Sequence, residues 1–89
     1  MVKEFWNELL TAASWGKLVE LSKEFEFTVI GGWAAYLWTR AHKSKDIDII
    51  VGFGEFRKIS KKFDVQKNPR MLKYEVKFDK FDLDIYLPS

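Results

Sequence analysis

The chain has 89 residues, 47% of them hydrophobic and 17% aromatic, with a formal net charge of +2 and no cysteine. That length suits one domain, residues 1–89, whose thin stability margin is offset by four Trp and eight Phe. Disulfides and thiolate metal sites are excluded, the charge is too mild to establish nucleic-acid binding, and no apolar run approaches the roughly 20 residues that span a bilayer.

The N-terminus, Met1-Val2-Lys3-Glu4-Phe5-Trp6, is too acidic and interrupted for a signal peptide, so a soluble cytoplasmic protein is expected. Residues 2–25 read as helix from the i, i+3, i+4 spacing of Val2, Phe5, Trp6, Leu9, Leu10 and Ala13, with Leu18, Leu21 and Phe25 continuing the stripe. A break is expected near Ser14–Gly16, where Ser14 would cap a second segment. Phe27–Ile30 is a β-branched run ended by Gly31-Gly32, hence a buried strand. Trp33 to about Ala41 has helical composition, 42–45 is a polar link, and Ile47–Val51 is a second strand. Glu55–Phe63 suits a short helix carrying Phe56, Ile59 and Phe63, and 64–66 a short strand before a loop at Asn68-Pro69. From Leu72 the period becomes two, with Tyr74, Val76 and Phe78 on one face and Lys73, Glu75 and Lys77 on the other. Asp79-Lys80 is a two-residue turn into Phe81–Leu87. The order predicts an α/β (α+β) fold, a small mixed sheet with helices packed on one face.

Two features carry chemistry. At a strand-to-helix turn, Gly31-Gly32 lets the backbone approach an anion, and the helix N-terminus that follows offers unpaired N–H groups suited to phosphate. Alone this is weak, since most such pairs are only turns, and Trp33-Ala34 in place of Lys-Ser/Thr excludes a Walker loop. The second feature is Asp46-Ile47-Asp48-Ile49 with Asp82-Leu83-Asp84-Ile85. Residues i and i+2 of a strand share a face, so each pair projects its acids together with its apolar residues behind. One such pair is more often a solvated strand face. Two of them brought side by side would raise at least one carboxylate pKa and call for cations, and an all-oxygen donor set selects Mg²⁺ or Mn²⁺.

Ile30-Gly31-Gly32, thirteen residues, Asp46-Ile47-Asp48-Ile49 and a late strand with an embedded Asp together resemble the DNA polymerase β-like nucleotidyltransferase superfamily. The likeness covers roughly residues 27–87. It is nearest to the minimal prokaryotic members and the abortive-infection-type toxins, in which a Gly-Gly-x-Ala start and an Arg before the Asp pair recur; here these are Gly31-Gly32-Trp33-Ala34 and Arg40. The resemblance implies the nucleotidyltransferase fold and transfer of a nucleoside monophosphate from an NTP, with ATP the first candidate, to a hydroxyl acceptor with release of pyrophosphate. It implies that Gly31 and Gly32 cradle the triphosphate, that Asp46 and Asp48 hold two Mg²⁺, and that Asp84, with Asp82 as second choice, binds metal and helps deprotonate the acceptor. Many relatives carry Gly-Ser where this chain has Gly31-Gly32, so a hydroxyl for the phosphates is missing. Relatives also often place a helical region after the third-carboxylate strand, which a partner chain or second copy would supply here. The alternative is a non-catalytic nucleotidyltransferase-like antitoxin or assembly subunit acting with a partner chain.

Arg40, Lys43 and Lys45 lie between the glycines and the Asp pair, where they would neutralise a triphosphate, with Ser44 a weaker candidate. His42 among them is more often a solvated loop residue. Arg57, Lys58, Lys61, Lys62, Lys67, Arg70 and Lys73 form a basic stretch, usually a solvated face; as a patch it would hold an RNA acceptor or an acidic partner, in the limit a basic RNA-binding module. Trp33, Tyr36 and Trp38 read as core, with Trp33 close to a nucleotide base as the sharper reading. Trp6 and Trp15 suit either core or an oligomer contact.

Overall fold

A computed structural model describes residues 2–39 and 46–88; the side chains of residues 2–10, Trp6 among them, and of Ala35, Trp38 and Thr39 lie outside that description. Among the described residues, eight elements follow in chain order: α1 (Val2–Glu24), β1 (Thr28–Ile30), α2 (Gly31–Thr39), β2 (Ile47–Ile50), α3 (Phe53–Lys62), β3 (Gln66–Asn68), β4 (Lys73–Lys77) and β5 (Asp82–Tyr86). The strands form one sheet in the order β1-β2-β5-β4-β3. Only β2 and β5 run parallel, and the other neighbours are antiparallel. The type and order of the elements follow the hydrophobic spacing, and a small mixed α/β fold results.

One apolar cluster holds it together. Leu18, Leu21 and Phe25 of the α1 end, Trp33 of α2 and Ile59 of α3 meet Ile47, Ile49, Val76, Leu83 and Ile85 from one face of the sheet. Strand alternation puts those residues on one side and Asp48, Asp82, Asp84, Lys73, Glu75 and Lys77 on the other. Trp33 is fully buried, and truncating a side chain of that size in a core costs about 3–5 kcal/mol. Its ring packs on Trp15 at 5.1 Å and edge-on against Tyr36 at 5.4 Å. Trp33 therefore sits in the core.

Three local expectations are corrected. β1, expected as a buried strand, is an edge strand of the sheet with Thr28 exposed and Val29 and Ile30 half-buried. α1 runs unbroken through Ser14–Gly16. Ser14 is fully buried and its hydroxyl accepts a 2.8 Å bond from the Trp33 indole Nε1–H, so it clasps α2 rather than capping a helix. Glycine inside a helix costs only about 1 kcal/mol relative to Ala, which the burial of Leu18, Leu21 and Phe25 outweighs. The short strand β3 lies at 66–68, two residues later than the sequence places it. Asn68 explains the shift. Its Oδ1 accepts the Met71 N–H at 3.1 Å, which starts the turn at Pro69, and its Nδ2 donates to Glu75 of β4 at 3.4 Å. The turn ends on Leu72, an exposed leucine held at a φ of 55°. The β4–β5 hairpin forms as expected about Asp79-Lys80, closed by Phe78 N–H donating to the Phe81 carbonyl at 2.9 Å.

Candidate functional site

β1 passes directly into α2. Ile30 ends the strand and Gly31 opens the helix at a φ of 69°, a conformation that penalises any residue with a Cβ. Space makes the same demand, because a Cβ on Gly31 would lie 2.5 Å from Asp48 Oδ2. The antiparallel β1–β2 register, with Ile30 opposite Asp48, brings the two together. The expected meeting of glycine turn and Asp strand is thus present, with the Asp48 carboxylate against the backbone at the start of α2. Gly32 follows as the exposed second residue of that helix.

The parallel pairing of β2 with β5 sets Asp48 beside Asp84, and the β5–β4 pairing sets Glu75 on the other side of Asp84. Three carboxylates therefore stand in a row across adjacent strands, spaced by the roughly 4.8 Å of a sheet. Asp84 is 8% exposed, and its Oδ1 is buried with no hydrogen-bond partner. Its Oδ2 receives the Lys73 ammonium at 3.0 Å. Lys73 also lies 3.6 Å from Glu75 Oε2, and Lys77 bridges Glu75 at 3.6 Å and Asp82 at 3.1 Å. Burial pushes the Asp48 carboxyl up to about 6 from 3.8, aided by the charge of Asp84 and opposed by Lys73. Lys73 in turn is raised above its ordinary value, first by its hydrogen bond to Asp84.

Asp46 stands just before β2. Its Oδ1 accepts the backbone N–H of Asp82 at 3.0 Å, a tie between the starts of β2 and β5, and its charge adds to the pressure on Asp48. Asp82 lies on the same face but is held by Lys77. The register thus places Asp84, not Asp82, beside Asp48. Among the described residues, no three acidic or His side chains are arranged as they stand to hold a metal ion. The nearest fit is the Asp48–Asp84 pair, whose donors are all hard oxygen and whose Asp84 Oδ1 lacks a partner.

Lys73, read from sequence only as part of the basic stretch, and Glu75 join the site through the alternation of β4 against the Asp82/Asp84 strand across a two-residue turn. Arg40, His42, Lys43, Ser44 and Lys45 lie outside the described residues. The basic stretch is divided: Lys58 pairs with Glu55 at 3.0 Å, Lys62 with Glu24, and Lys73 belongs to the carboxylate row. The groove between α1 and the β4–β5 turn, lined by Ala13, Gly16, Lys17, Phe78 and Lys80, contains none of the candidate residues. Among the described residues, no helix is long and apolar enough to cross a membrane. No family model matches the chain, and neither the curated proteins nor the solved structures contain a match to it.

Proposed function

We propose that this chain is a Mg²⁺-dependent nucleotidyltransferase domain of the DNA polymerase β-like type, acting on an NTP and a hydroxyl acceptor in the cytoplasm. The observation that carries the reading is the meeting of Asp48 with Asp84 on one polar sheet face, directly against the Gly31 opening of α2. Asp48 and Asp84, with Asp46 alongside, would hold the divalent ion. Bound there, it would offset charge on the attacking and leaving oxygens of an in-line displacement. The chain's own groups do the rest. Backbone N–H groups at Gly31 and Gly32 receive the triphosphate at the positive end of α2. An acceptor hydroxyl bonds to the α-phosphorus as the bond to the bridging oxygen breaks and pyrophosphate leaves. The hydroxyl proton passes to the Asp84 carboxylate.

Two measurements test this. Mg²⁺ with ATP at about 100 times the dissociation constant should stabilise the chain by about 2.7 kcal/mol, and Asp48→Asn should abolish that gain. Incubation with labelled NTPs and RNA, protein or small-molecule acceptors should give transfer that Asp46→Ala and Asp48→Ala eliminate. Absence of both effects in the wild type sinks the reading. The lysine within the carboxylate row favours a second reading, a nucleotidyltransferase-like antitoxin or assembly subunit. That reading predicts a stoichiometric complex with a partner chain, unaffected by Asp48→Ala.

A further inference from the structure

The carboxylate row already contains a cation. Asp48, Asp84 and Glu75 occupy adjacent strands in register, and the ammonium that serves them is Lys73, 3.0 Å from Asp84 and 3.6 Å from Glu75. Its side chain is only 14% exposed, so the charge is held within the site rather than dangling over it. With Lys77 shared between Glu75 at 3.6 Å and Asp82 at 3.1 Å, two positive charges face four carboxylates, and the row is underneutralised. Asp84, 8% exposed, keeps its Oδ1 buried and without a hydrogen-bond partner. Lys73 is thus placed between two acceptors, close to one and within a short swing of the other.

We infer that Lys73 is a built-in competitor for the divalent ion: it neutralises Asp84 when no metal is bound and hands over to Glu75 when metal takes the carboxylate. This rests on the nucleotidyltransferase reading, because it presumes that a divalent ion binds Asp48 and Asp84. The hand-over needs Glu75, which is a positioning residue and not a metal ligand. Glu75 also has the restraints that role requires, since Asn68 and Lys77 fix its carboxylate from the β3 and β4 sides. Lys73 therefore sets the ion concentration at which the site fills.

Calorimetric titration with Mn²⁺ and Mg²⁺ alone, without nucleotide, tests the inference. Lys73→Met keeps the apolar stem and removes the competitor, and it should tighten ion binding at least about tenfold, equivalent to 1.4 kcal/mol. Lys58→Met, which removes an equal charge held by Glu55 on α3 outside the carboxylate row, should change the affinity less than about twofold. Glu75→Gln should weaken binding in the wild-type background and have no effect in the Lys73→Met background, since its influence runs through Lys73. Equal affinity in wild type and Lys73→Met overturns the competition while leaving the nucleotidyltransferase reading intact. Absence of ion binding in both overturns the two together. Should Lys73→Met be unfolded without metal, recovery of its native circular dichroism in Mg²⁺ supports the inference, and failure to recover while wild type binds the ion refutes it.

Discussion

Asp48→Asn should make this protein more stable at neutral pH. In the folded chain the Asp48 carboxyl titrates at about 6, against 3.8 when unperturbed. The folded state therefore holds this proton across a window in which the unfolded chain has lost it. Stability from the shift is complete below pH 3.8, falls as pH rises, and is gone above about 6, where the folded chain must carry the charge. A shift of about two units corresponds to about 3 kcal/mol at face value, and because Asp48 is only half-buried, solvent screening reduces this to about 1–2 kcal/mol. Asparagine carries no charge at any pH and supplies an N–H to the buried Asp84 Oδ1 that has no partner. Asp48→Asn should then melt roughly 4–16 °C above wild type at pH 7.5, the spread expected for a domain of this size. The difference should shrink steadily to pH 4. Melting curves followed by tryptophan fluorescence across pH 4–8 in metal-free buffer would show it. A variant that melts lower than wild type at pH 7.5, or a gap that does not narrow on acidification, would refute the reasoning.

Further outcomes follow from single contacts. Gly31→Ala forces a Cβ into a left-handed backbone at a cost of about 1–3 kcal/mol, plus the collision with Asp48. In urea melts the combined Gly31→Ala, Asp48→Ala variant should lose less than the sum of the single changes, and strict additivity would contradict the contact. Ser14→Ala strands the buried Trp33 indole N–H and should cost about 1–3 kcal/mol in the same assay, whereas Ser22→Ala on the exposed side of α1 should change little. Leu72→Asn replaces an exposed leucine at a φ of 55° with a residue that tolerates it, so the denaturation midpoint should rise by the equivalent of about 0.5–1 kcal/mol.

Much of the architecture could be read from short-range spacing. Ile47 and Ile49, and Leu83 and Ile85, alternate with acids, and that period alone assigns strand type and separates the two faces. The helices at 2–25 and 55–63 are legible for the same reason, from apolar residues three and four apart. What the spacing does not carry is which strands become neighbours. Asp84 stands next to Asp48 only because β5 inserts between β2 and β4, and no local pattern encodes that choice. Lys73 and Glu75 look like an ordinary solvated strand face until that insertion sets them against Asp84. The helix break misplaced at Ser14–Gly16 has a similar origin: serine and glycine weaken a helix locally, but Ser14 finds its partner nineteen residues away in Trp33.

β5 lies at the centre of the sheet although it is the last of the eight elements to be synthesised. While the chain emerges from the ribosome, β2 has β1 on one side and an open backbone edge on the other until residues 82–86 arrive. An interrupted translation product would therefore be a fragment with a sticky strand edge, prone to aggregate and unable to assemble the acidic row.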